Sequence, residues 1–129
     1  MYLTMLSASE KIGFYSLAHA LAQSHEGISA EEHSVLDASA HEMGIESPSD
    51  VLDVKSACAA FVSNASKRVA VLELALLALV DDDFANEEQS VMNEVVNAFG
   101  LTEGQVNRVM GLAEAILAQY RSGKRFIES

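Results

Sequence analysis

A chain of 129 residues has the size of one ordinary domain, and with half of its residues hydrophobic it is long enough to bury a core. Its 19 acidic against 8 basic residues give a formal charge of −11. That charge argues against nucleic acid or an anionic membrane surface as a direct partner, since both need a basic footprint to displace counterions, and it points to cations or basic protein surfaces instead.

One Pro, no Trp, five Phe and three Tyr leave the core to Leu, Val, Ala, Ile and Met, a palette that suits helices. From the N-terminus, Met1 to Ser9 lacks a basic stretch followed by an apolar one, so no signal peptide is expected and the location expected is cytoplasmic. Ser7 with Glu10 fits a capping box and opens a helix near 8–24, with Phe14, Leu17, Ala18 and Leu21 on one face and His19 at its boundary. Ser29 with Glu32 opens the next, near 30–43. His33, Asp37 and His41 lie four apart on it, but they face away from Leu36 and Met43 and form a solvated stripe rather than a ligand set. Gly44 closes this helix.

Ser47-Pro48 with Asp50 predicts a third helix near 48–62, carrying Val51, Val54, Cys58, Phe61 and Val62 inward. The single Cys58 falls within that apolar pattern and serves packing in a reducing compartment. With Asn64 as its cap, a fourth helix spans about 65–80; its apolar run from Val69 is broken by Glu73 and falls short of the ~20 residues a membrane crossing needs. Asn86 caps a fifth, near 86–99, ended by Gly100, and Thr102 with Gln105 opens a sixth, near 103–121. The sixth presents Val106, Val109, Met110, Ala113, Leu117 and Tyr120, and the tail from Gly123 is expected to fray. No strand pattern competes, so the fold expected is all-α: one domain over 1–129, a compact bundle of about six helices.

Sliding the chain by 56 positions aligns Leu21 with Leu77, Ala22 with Ala78, Glu31-Glu32 with Glu87-Glu88, Ser34-Val35 with Ser90-Val91 and Gly44-Ile45 with Gly100-Leu101. The bundle therefore divides into two tandem three-helix repeats, about 7–62 and 63–121, with the third helices aligning least well.

The repeat is strongest around the loop joining its first two helices. One loop carries His25, Glu26, Ile28 and Ser29 ahead of Glu31-Glu32; the other carries Asp81, Asp82, Asp83 and Phe84 ahead of Glu87-Glu88. Ile28 and Phe84 are matching apolar plugs. The partly positive start of a helix accounts for Glu31 and Glu87. At ~100° per residue, however, Glu88 shares a face with Val91, Met92, Val95 and Phe99, and Glu32 with Leu36 and Met43. Three adjacent aspartates repel unless a cation or a basic group intervenes, and Asp81, Asp83 and Glu88 can converge on one hard cation such as calcium or magnesium. This is no EF-hand: the sixth position from Asp81 is Asn86 rather than Gly, and the twelfth is Met92 rather than Glu.

Two helices joined by an acidic turn, an apolar plug and a Glu pair, all occurring twice, resemble the tellurite-resistance TerB family. The family's turn runs Asp-Gly, two residues that include an apolar plug, and a short polar step into Glu. Asp81, Phe84 and Glu88 match it in the second copy; in the first, Ile28, Ser29 and Glu32 match, with His25 where an Asp is usual. The resemblance covers roughly 6–119. It implies an all-helical domain of bacterial stress response and tellurite resistance that binds a divalent cation. The ligands it implies are Asp81, Asp83 and Glu88 with Glu87, and in the first copy Glu26 and Glu32, where His25 biases the site toward a transition metal. The alternative is a metal-free adaptor whose acidic surface docks a basic protein. No catalysis is expected, since there is no Glu-x-x-His, Gly-rich phosphate loop, nucleophile elbow or zinc cysteine pair.

Overall fold

The computed structural model describes residues 1–23, 30–46, 50–80 and 86–129, apart from the side chains of 30–32, 80 and 86–88. Within them a 3-10 turn, Leu3–Met5, precedes six helices: α1 (Ala8–Gln23), α2 (Ala30–Met43), α3 (Val54–Ala59), α4 (Asn64–Val80), α5 (Asn86–Phe99) and α6 (Glu103–Glu128). No strand occurs among the described residues, and no helix there is long and apolar enough to cross a membrane.

The centre is built by α1 and α4, which pack on each other. Leu17, Ala18 and Leu21 of α1 and Val71, Leu74, Ala75 and Ala78 of α4 are all fully buried. Each fully buried Leu or Val contributes about 1.5–3 kcal/mol relative to an exposed one. Around them α2 supplies Leu36, Ala40 and Met43, and α5 supplies Met92, Val95 and Phe99. The Phe99 ring meets Phe61 edge to face at 5.5 Å between centroids.

Local signals set most of the helix ends. In the Ser7 box, the Ser7 N–H donates to Glu10 Oε1 at 2.9 Å and the Glu10 N–H to Ser7 Oγ at 3.4 Å. Thr102 and Gln105 form the same reciprocal pair at 2.8 and 3.2 Å. Both α2 and α5 end in a Schellman motif. Gly44 (φ 71°) and Gly100 (φ 68°) take the left-handed position. Ile45 N–H donates to the Ala40 carbonyl at 3.0 Å, and Leu101 N–H to that of Val96 at 3.1 Å. These two helices have 14 residues each and stand 56 apart, whereas α3 has 6 residues and α6 has 26.

The third helix is shorter than the spacing predicts. It starts at Val54, where Asp53 Oδ1 accepts the Ser56 N–H at 2.7 Å, and residues 50–53 are not helical. The Leu52 N–H is held instead by Ser16 Oγ of α1 at 2.9 Å. Val51 and Val62 are exposed, leaving Cys58 and Phe61 as the buried pair. Ser47 and Pro48 lie outside the described residues. The cap of α4 is Ser63, whose Oγ accepts the Ser66 N–H at 3.0 Å, with Asn64 already inside the helix. Asn86 likewise is the first residue of α5. The sixth helix runs on to Glu128 through Gly123, with Lys124 and Glu128 paired across one turn at 3.9 Å. It lies outermost: of its residues only Ala113 is buried, and Tyr120 is 67% exposed.

Candidate functional site

The acidic segments occupy the two helix junctions. The first, 24–29, joins the end of α1 to the start of α2; the second, 81–85, joins α4 to α5. Glu26, Asp81 and Asp83 fall outside the described residues, as do the side chains of Glu32, Glu87 and Glu88. The helix register is nevertheless explicit. Position 88 lies one turn before Met92 and two turns before Val95, which with Phe99 form the buried stripe of α5. Position 32 lies one turn before Leu36, on the stripe that continues through Ala40 and Met43.

A basic residue that sequence reasoning missed stands beside the second junction. Arg121 Nη2 donates to the Leu79 carbonyl at 3.4 Å, placing a guanidinium at the end of α4, two residues before Asp81. Because α4 and α6 pack with Arg68 near Arg108 at one end and Leu79 near Arg121 at the other, the two helices run parallel. The 42-residue separation of Leu79 and Arg121 leaves no local signature in the sequence.

A second carboxylate pair, Glu42 of α2 and Glu73 of α4, gathers around the N-terminus. The Met1 ammonium lies 2.8 Å from both Glu42 oxygens and 3.1 Å from Glu73 Oε1. The Tyr2 N–H donates to Glu73 at 2.7 Å and the Leu3 N–H to Glu42 at 3.1 Å. This explains the acidic residue interrupting the most apolar stretch: Glu73 is buried, but its charge and lone pairs are met. Burial works against the ammonium's charge, yet the hydrogen bonds and attraction of Glu42 and Glu73 outweigh it and raise its pKa above 8.0. The cluster is an anchor for the first residues of the chain, tying the 3-10 turn to α2 and α4.

Glu10 is buried too. Desolvation would raise its pKa, but hydrogen bonds from Ser66, Ser7 and the Val62 backbone prevail and hold it below the ordinary 4.5. It therefore links the start of α1 to the start of α4 as a carboxylate. Cys58 is buried, and desolvation, with a smaller contribution from the charge of Glu94, pushes its thiol up to about 11, which suits packing rather than nucleophilic chemistry. His33, Asp37 and His41 are all exposed, and His19 is half-buried with its ring 6.5 Å from that of Tyr15. Among the described residues no three His, Cys, Asp or Glu side chains gather closely enough to hold a metal ion.

The site thus defines a class: an all-helical protein whose two helix junctions concentrate carboxylates, the second more densely than the first. Residues 7–111 match the family model described as tellurite resistance protein TerB. The chain belongs to that family, which carries it into the sphere of tellurite resistance. No curated protein and no solved structure matches it alongside. The matched span takes in both junctions and stops within α6, so the last two-thirds of that helix lie beyond it.

Proposed function

We propose that the chain binds a divalent cation, calcium or magnesium, at the junction of α4 and α5, and that it serves tellurite resistance and stress response by binding rather than by catalysis. The carrying observation is charge crowding. Asp81, Asp82, Asp83, Glu87 and Glu88 place five carboxylates within eight residues. The α5 start offers about half a positive charge, and Arg121 at Leu79 offers one more. Most of the negative charge is left for a cation to meet. The donors are all hard oxygens, suited to calcium or magnesium. Asp81, Asp83 and Glu88 are the principal ligands in this proposal and Glu87 an auxiliary one, while Glu26 and Glu32 form a weaker site at the first junction. The register of position 88 with Met92 and Val95 on α5 supports giving it a ligand role in this proposal.

The contact of Arg121 with Leu79 also favours a second reading, in which the guanidinium supplies the counter-charge and the acidic surface docks a basic protein without metal. Calorimetric titration with calcium, magnesium, zinc and manganese separates the two. The metal reading expects saturable binding of one ion that vanishes in an Asp81→Asn, Glu88→Gln variant and tightens in Arg121→Gln, where a competing cation is removed. Weak, unselective heat that is the same in all three proteins would sink it.

A further inference from the structure

The parallel pairing of α4 with α6 leaves a groove with a volume of about 410 Å³. Leu72, Leu101, Val109 and Leu112 supply apolar walls, and Arg68 and Arg108 line it from opposite helices. Each arginine stands one turn before a leucine of its own helix, Arg68 before Leu72 and Arg108 before Leu112. With the helices parallel, Arg68 and Arg108 stand at one level of the groove and Leu72 and Leu112 one turn further on, while Leu101 and Gln105 line it before Arg108. The charge arrangement is unusual for this chain. It has 19 carboxylates for 8 basic residues, yet neither of these exposed guanidiniums forms a hydrogen bond or ion pair among the described residues.

We propose that this groove binds a small amphipathic carboxylate from solution, with its head between Arg68 and Arg108 and a medium-length alkyl tail along Leu72, Val109 and Leu112. The site is separate from the acidic junction and stands whether or not that junction holds a metal. Charge complementarity identifies the head: a guanidinium fork matches a carboxylate in two parallel hydrogen bonds, and two forks facing one groove from different helices can share one anion. The dimensions identify the tail. The α6 lining runs from Gln105 to Leu112, about 10 Å at 1.5 Å per residue, which is enough for one extended chain and short for the three anchors of a docked peptide helix. An anion is repelled at long range by a protein of charge −11. Binding therefore depends on contact, and tail burial should strengthen it roughly fourfold per methylene.

The test titrates the full chain, by calorimetry and by backbone amide shifts, with octanoate, butyrate and octylammonium below their micellar concentrations. One octanoate should bind per chain, with shifts centred on 68–72 and 101–112. Butyrate should be weaker by on the order of 200-fold, following the same per-methylene factor. Octylammonium, which keeps the tail and reverses the head, should not displace octanoate. Because Arg68 and Arg108 are exposed and have no partner among the described residues, Arg68→Gln with Arg108→Gln is a variant expected to melt as the parent does and to lose octanoate affinity at least tenfold; Leu112→Ser should lose it with the head contacts intact. Octylammonium binding as well as octanoate, or octanoate binding unchanged in the double variant, would overturn the proposal. So would binding confined to phosphatidylglycerol vesicles or to an acidic helical peptide, each of which would assign the groove to a different partner.

Discussion

Two helix seams in this chain were built by opposite means. Where α1 meets α3, Gly13 brings the backbones together: a Cβ added there would lie 3.0 Å from the Ala57 carbonyl oxygen and 3.2 Å from both the Ala60 Cβ and the Phe61 ring. Where α4 meets α6, Arg68, Leu72, Val109 and Leu112 stand at the seam and a groove of about 410 Å³ remains. Interhelical distance follows the size of the residues at the contact; α4 and α6 approach closely along much of their length, so the opening between them is local to the Arg68 end of the seam. The difference also sorts what each helix depends on. A 6-residue helix such as α3 is far below the ~12–15 residues that are even marginal in isolation, and exists because it is packed and capped. The 26-residue α6, with its capping box, has less need of tertiary support and can remain mostly exposed.

The strongest way to break this contrast is to fill the closed seam. Gly13→Val would push two methyl groups against backbone and a buried ring, and overpacking of this kind costs about 1–3 kcal/mol or somewhat more. A clear fall in melting temperature is expected, with the loss concentrated in amide protection of α3. An unchanged melt would mean that the α1–α3 contact is not the close one described.

A somewhat smaller effect is expected from the polar tie that joins the start of α1 to the start of α4. Glu10 accepts hydrogen bonds from the start of α1 and from Ser66 in α4. Glu10→Gln removes the charge and leaves those donors weakly met, at a cost of about 1–2 kcal/mol at neutral pH. Because the folded state holds the Glu10 pKa below 4.5, its contribution is fully present above pH 4.5 and is lost as pH falls through the lower folded value. Denaturant curves of parent and variant should therefore converge as the pH drops below 4.5. A gap that stays constant to lower pH would show that the carboxylate's charge contributes nothing.

What was legible in the sequence was local. Ser7 with Glu10, Thr102 with Gln105, and Gly44 and Gly100 all act within a few residues of themselves, and each stands where its chemistry places it. The third helix began late because Leu52 is held by Ser16, 36 positions away, and a Pro-based start signal contains nothing of that contact. The partners of Glu73 at the N-terminus and of Leu79 at Arg121 are equally remote. The tail past Gly123 looked weak by propensity, yet one Gly costs a helix only about 1 kcal/mol, which the rest of a long helix can carry. As for the acidic junctions, their crowding of carboxylates and the register of Glu88 with Met92 were visible in the sequence. Which oxygens converge depends on geometry that a one-dimensional pattern does not contain.

The smallest effect sharpens the contrast by reversing its sign. Gly111 is interior to α6, has an ordinary helical conformation and would present a new Cβ to open space, with nothing within 4 Å. Gly111→Ala should therefore gain helix propensity without a steric cost, stabilising the protein by about 0.5–1 kcal/mol. The substitution at Gly13 adds bulk where a neighbouring helix already stands; this one adds it where none does. Melting of the purified chain over a range of concentrations makes the comparison strict. A stabilisation independent of concentration places that face of α6 in solvent. A destabilisation that grows with protein concentration would instead mean that a second copy packs against the Gly111 face of α6.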